Sequence, residues 1–327
     1  MVSYWRNLTC RASLTLFAVG LVACGGGGGS SRVEVTTGQF SLAVTDAAVD
    51  SAERVLVQFR GAAVKPQEGP AISLPLAGDS QSCEQLLNAV APAPAAAGEP
   101  VLRCIDLLSL QGTASTELID GASLEPGPYN WIRLEVDADR GVMDSIIVTD
   151  EGAWESLYIP GGSQSGLQLN RGFTILAGGI HDFVVDFDLR KSINNPQGFP
   201  DYRLRPSLRL IDRAQSGNIV GTVDPDLLNG PACTPGAYAV YVFEGTDAGR
   251  VGEEGSANAP LTSAAVTLQG NEWRYTVGYL APGSYTVAFT CQAGDDTSAN
   301  NEQIEFVIPQ DSTATVRADQ DSVVNFN

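Results

Sequence analysis

Apolar and polar residues alternate with a period of two in stretch after stretch of this chain, and that pattern favours strands over helices. Phe40, Leu42 and Val44 are interleaved with Ser41, Ala43 and Thr45, and Ile132, Leu134 and Val136 with Trp131, Arg133 and Glu135. Phe183, Val185, Phe187 and Leu189 are interleaved in the same way with Val184, Asp186 and Asp188. Successive side chains of a strand point to opposite faces, so each stretch offers one apolar face to a core and leaves the other wet. Antiparallel sheets with one solvated face are the expected result. Helix signals are scarce, the best being residues 83–90, followed by an Ala/Pro-rich surface loop. The fold class is therefore all-β, with two β-sandwich-like antiparallel domains.

A length of 327 residues suits two cores, at roughly 100 to 200 residues per domain. The boundary is expected at residues 214–218, where an apolar strand over 208–212 runs into the turn residues Gln215-Ser216-Gly217-Asn218. An N-terminal β domain then occupies 38–213. A C-terminal β-sandwich occupies 217–327, with about seven short strands including one over 303–308. One motif recurs in both halves, Leu124-Glu125-Pro126-Gly127-Pro128-Tyr129 and Leu280-Ala281-Pro282-Gly283-Ser284-Tyr285. Pro followed by Gly predicts a type II turn that launches a strand.

Residues 1–11 carry Arg6 and Arg11 and no acid, and the apolar run that follows ends at Cys24. That run is far shorter than the roughly 20 residues needed to span a bilayer, so it reads as the apolar part of an export signal. Leu21-Val22-Ala23-Cys24 resembles the bacterial lipobox, in which a small residue precedes a cysteine whose sulfur takes a diacylglycerol before cleavage. The resemblance implies a lipoprotein signal peptide over 1–23 and a lipidated, palmitate-bearing Cys24. A Gly/Ser-rich tether completes residues 24–37. Gly25, rather than an Asp, implies by the same resemblance an outer-membrane lipoprotein, facing the periplasm or the cell surface.

Loss of Arg6 and Arg11 takes the formal charge from −19 to −21. Such a surface repels phosphate backbones and anionic lipid. Nucleic acid is excluded as a partner, and the membrane is one only through the lipid. Four cysteines remain once Cys10 and Cys24 are assigned to signal and anchor. Of three pairings, Cys83–Cys104 and Cys233–Cys291 is expected, one local pair per half in an oxidising compartment. A cysteine–metal site is disfavoured, because no C-x-x-C is present and His181 is the single histidine.

No catalytic constellation emerges. His181 is the one candidate imidazole base, and it shares parity with Phe183 and Val185, as a structural residue at a strand start does. Residues 161–166 lack glycine on both sides of a serine in the G-x-S-x-G spacing, and read as a hairpin loop. Glycine-rich residues 25–29 follow no strand and are not a phosphate loop. Asp186 and Asp188 share one strand face, while Arg203, Arg205 and Arg209 share parity. A cross-strand charge ladder is the preferred reading. The alternative is a ligand patch formed by Trp131, Arg133, Glu135, Asp186, Asp188, Arg203 and Arg205, open to a glycan or an envelope protein.

The C-terminal half sets fourteen acids against Arg250, Arg274 and Arg317. Calcium is an alternative to solvated acidic loops there, with Asp224 and Asp226, Asp295 and Asp296, or Asp319 and Asp321 as candidate ligands. No other cofactor is expected. The function expected is a non-enzymatic binding or structural role in the envelope. An enzyme or enzyme accessory acting on envelope polysaccharide is the alternative, given how readily so many acids supply carboxylate pairs.

Four segments carry a family resemblance: Leu42-Ala43-Val44-Thr45-Asp46-Ala47, residues 129–136 (YNWIRLEV), residues 185–193 (VDFDLRKSI) and residues 202–206 (YRLRP). Over about 38–212 the chain is similar to the bacterial lipoprotein family known as domain of unknown function 4382. Ala48 stands where that family usually has proline. Residues 280–287 resemble the carboxypeptidase-regulatory or transthyretin-like β-sandwich.

Overall fold

The alternation is realised as two pairs of facing sheets. The computed structural model describes residues 36–47, 52–189, 193–195, 201–205, 208–247, 249, 251–252, 256–296, 304–309 and 312–327. The segment read as an export signal, and Cys24, lie outside them.

The first half holds strands β1 (Gly38–Ala47), β2 (Arg54–Pro66), β3 (Ile72–Pro75), β4 (Arg103–Asp106), β5 (Thr116–Leu124), β6 (Gly127–Asp137) and β7 (Ile146–Val148). They are followed by β8 (Trp154–Tyr158), β9 (Leu167–Leu169), β10 (Phe173–Ile175), β11 (Ile180–Asp188), β12 (Ile193–Asn194), β13 (Tyr202–Leu204) and β14 (Leu208–Asp212). A four-stranded sheet runs β14-β11-β1-β5, facing a ten-stranded sheet built around β6, β2, β7 and β8. Phe40, Leu42 and Val44 of β1 and Phe183, Val185 and Phe187 of β11 meet Val57, Phe59, Ile132 and Leu134 in one core.

The second half holds β15 (Gly217–Val223), β16 (Ala239–Glu244), β17 (Thr262–Ala265), β18 (Thr267–Gln269), β19 (Glu272–Leu280), β20 (Gly283–Thr290), β21 (Thr313–Val316) and β22 (Asp321–Val323). Sheets β18-β19-β15-β22 and β17-β16-β20-β21 enclose a separate core that includes Ile219, Val240, Tyr275, Val287 and Phe326. The protein is thus all-β. Pairing is mostly antiparallel, with parallel pairs β1–β11, β8–β13 and β15–β22.

Several local expectations are refined. The helix over 83–90 closes earlier, as α1 (Cys83–Leu87), started by a capping box in which Ser82 Oγ accepts from Gln85 N–H and Gln85 Oε1 accepts from Ser82 N–H. Residues 304–309 form no strand, only a single bridge from Val307 to Phe289. The two Pro-Gly motifs do not share a type II turn, since Gly127 has φ 144° and Gly283 is not in the left-handed region. They share a tyrosine bond instead. Tyr129 Oη donates to Glu125 O at 3.0 Å and Tyr285 Oη to Ala281 O at 2.8 Å, each tying a strand start to the residue four before it.

The largest difference concerns solvation. The outer face of the four-stranded sheet is not wet, because Tyr279 of β19 packs there on Ala43, Val184 and Ile211. Tyr279 Oη also donates to Thr113 O at 2.7 Å, and Gly278 lies so close to Gly112 that a Cβ would meet its carbonyl oxygen at 2.1 Å. Residues 35–327 consequently form one compact unit.

Candidate functional site

The seven patch residues expected from sequence occupy three places. Trp131, Arg133 and Glu135 project from the outer face of β6, all half-buried, while Ile132, Leu134 and Val136 point into the core. The Arg133 guanidinium lies 4.9 Å from the Trp131 ring centre, and its Nη2 donates to Gln168 Oε1 on β9 at 3.1 Å. A guanidinium over an indole is worth about 0.5–1 kcal/mol at an exposed site. Gln168 was missed in the sequence. Its place between Leu167 and Leu169, both buried, is the signal that assigns it to the outer face.

Asp186 and Asp188 lie elsewhere, 4% and 3% exposed, with Asp186 facing Ser263 and Tyr279 of the second sandwich. β11 and β14 are neighbours, with Asp186 directly opposite Arg209. Arg209 Nε donates to Asp186 Oδ2 at 3.0 Å, with Nη2 on the same oxygen. The ladder reading therefore holds for this pair. Arg203 and Arg205 do not join it: Arg203 is on β13 of the ten-stranded sheet, donating from Nε to Asn194 Oδ1 at 2.9 Å, and Arg205 is exposed just beyond β13. Asp46, Asp186, Arg209, Ser263 and Tyr279 surround a cavity of about 10 Å³ in the seam, room for a single water.

The buried pair gives a direct test of this geometry. Arg209→Met is expected to cost about 2–3 kcal/mol, because it leaves the Asp186 carboxylate closed in without its partner. Asp186→Leu combined with Arg209→Met should recover most of that loss. Urea midpoints of the three proteins check it, and equal stability of the single variant and the parent would contradict it.

The remaining candidates serve the framework. His181 Nε2 accepts from Leu176 N–H at 2.9 Å, and its ring stacks near Phe183. Ser163 donates from N and Oγ to Asp139, and these bonds hold the Asp139 carboxyl below its ordinary range. Burial pushes the Glu117 carboxyl up, against the nearby Arg213, and pushes Asp144 up with help from Asp137 and Asp139. The disulfides Cys83–Cys104 and Cys233–Cys291 are both formed. The first lies over the outer face of the ten-stranded sheet, with Cys83 against Leu56 and Ile146.

Of the calcium candidates, Asp224 accepts from Asp226 N–H, Asp296 accepts from Tyr241 Oη at 2.8 Å, and Asp321 accepts from Asn218 Nδ2 at 2.7 Å. Among the described residues no group of three or more His, Cys, Asp or Glu is placed to hold a metal ion. A groove of about 530 Å³ runs between the ends of β3 and β5, lined by Leu74, Pro75, Arg103, Glu117 and Ile119. Arg103 crosses it, donating to Ala77 O and Glu117 O.

A family profile described as a domain of unknown function (DUF4382) matches residues 37–206, just over half of the chain. Among solved structures, the Bacillus anthracis TIE protein is similar at 10% identity and a TM-score of 0.18, covering 89% of this chain and 34% of that one. The chain thus spans about a third of that protein's length. GBS52, the minor pilin of Streptococcus agalactiae, is similar at 10% identity and a TM-score of 0.18, covering 88% and 94%. The fimbrial anchor protein Mfa2 of Porphyromonas gingivalis is similar at 11% identity and a TM-score of 0.17, covering 83% and 82%. At such TM-scores these likenesses carry no argument. No curated protein sequence matches the chain.

Proposed function

We propose, from the premise that the chain belongs to the family described as a domain of unknown function (DUF4382), that it is a lipid-anchored protein of the bacterial envelope with a non-enzymatic binding role. The observation that carries the binding role is the outer face of β6. A half-buried indole with a guanidinium over it, on a strand of a large sheet, is a platform for a sugar ring or a protein partner. The lipobox at Leu21-Val22-Ala23-Cys24 and the tether behind it support the anchor. Two disulfides agree with an exported, oxidising location. We read the second sandwich as a transthyretin-like spacer packed on the first, on the strength of residues 280–287.

A glycan array and an envelope-protein capture with the purified protein test this reading. Trp131→Ala is expected to weaken the recovered interaction at least tenfold, about 1.4 kcal/mol or more, without moving the melting temperature by more than a few degrees. Binding that survives Trp131→Ala and Arg133→Ala together would reject this face. Release of soluble fragments from purified envelope polysaccharide, abolished by Glu117→Gln or Asp144→Asn, would favour an enzyme instead.

A further inference from the structure

We propose that the loop between β10 and β11, with Leu176 and Ile180 at its ends, docks into the surface of the membrane that holds Cys24, so that the first sandwich stands end-on. This rests on the lipid-anchor reading and adds to it an orientation. Ile180 is 78% exposed and Leu176 61%, the former the most exposed large apolar side chain among the described residues. Neither packs on the core, and water is a poor solvent for both.

The loop is held rigidly at the tether's end of the fold. Leu176 N–H donates to His181 Nε2 at 2.9 Å, Gly178 N–H to Thr37 O at 3.1 Å, and Gln39 N–H to Gly179 O at 2.9 Å. Its anchoring residue Thr37 is 13 positions after Cys24. Thirteen residues reach about 45 Å at most, and about 20 Å on average if they behave as a Gly/Ser linker. The end of the sandwich where β1 begins is therefore the end kept near the bilayer. The 11 residues of β6 carry its opposite end about 35 Å further away.

Charge separates the two ends. The loops beside Leu176 and Ile180 carry Lys65 and Arg171 against Glu68 and Glu125, and on the adjoining strands Asp182 is paired with Arg213 while Asp212 stands opposite Phe183. The opposite end also exposes Val142, Met143 and Trp154, but there Arg140 stands among Asp139, Asp144, Asp150, Glu151 and Glu155, a balance that anionic lipid repels. A lipid surface fits the first end and not the second.

The test uses the full lipidated chain in vesicles of phosphatidylethanolamine and phosphatidylglycerol. An environment-sensitive fluorophore is placed on Ile180→Cys or, as the control at the opposite end, on Val142→Cys. Both positions are exposed, so neither substitution disturbs the core. Nitroxide-bearing lipid is expected to quench the probe at 180 at least threefold more than the probe at 142, with a blue-shifted emission at 180 alone. Equal quenching at both positions, in protein that floats with the vesicles, overturns the docking while leaving the anchor intact. Protein that fails to float with the vesicles overturns the anchor and the docking together.

Discussion

Cys24→Ala is expected to move the protein from the membrane fraction to the soluble fraction and to abolish its labelling with palmitate. Burial of acyl chain is worth about 0.8 kcal/mol per methylene, and a single fatty acid gives only marginal attachment. On the lipid-anchor reading, the acyl chains on Cys24 together supply a hold that nothing else among the described residues matches. Among the described residues no helix is long and apolar enough to cross a membrane. The chain's formal charge of −19 opposes anionic lipid. Leu176 and Ile180, even fully inserted, contribute about 1.5–3 kcal/mol each, too little to retain a dilute protein. Fractionation with radiolabelled palmitate checks the result. A variant that still labels and sediments with membranes removes the lipobox from the account.

The second large effect is expected in the C-terminal sandwich. Expressed from Gly217 under oxidising conditions, it should melt cooperatively, because its core is drawn wholly from residues 219–326. Cys233–Cys291 closes a separation of 58 residues, and Thr234 N–H donates to Cys291 O beside it, joining the loop before β16 to the end of β20. Chain entropy assigns such a closure about 4 kcal/mol, against a typical total stability of 5–15 kcal/mol. Reduction should therefore lower stability by about 2–5 kcal/mol. Salt should raise the melting temperature by screening fourteen acids against three arginines, and calcium should do no more than matched ionic strength. Isolation uncovers Tyr279, 8% exposed in the full chain, so the fragment should also melt below the full-length protein. Calorimetry of the fragment, oxidised and reduced, decides. Absence of any cooperative transition would mean that the seam with β1 and β11 is part of the second core.

The longer strands, their inward faces and the cystines were legible in the local pattern, whereas the strand expected over 303–308 did not form. Phe183, Val185 and Phe187 point inward because period two is a property of the strand alone. Cys83–Cys104 and Cys233–Cys291 follow from locality in the chain and an oxidising compartment, and the family was legible in short motifs. The Asp186–Arg209 pair was half legible: shared parity suggested it, and it formed because β11 and β14 are neighbours. Arg203 has the same parity and bonds to Asn194 in another sheet. Alternation says which residues share a face, but not which strand lies alongside.

Long-range packing accounts for the rest. β1 pairs in parallel with β11 across some 140 residues, a contact for which no local signal exists. The outer face of that sheet reads as solvated from Asp186 and Asp188, yet it is buried, because Tyr279 closes over Ala43, Val184 and Ile211. A side chain's own strand sets its direction. Its burial is set by whatever packs against that face, and here the covering residue, Tyr279, comes from the second sandwich.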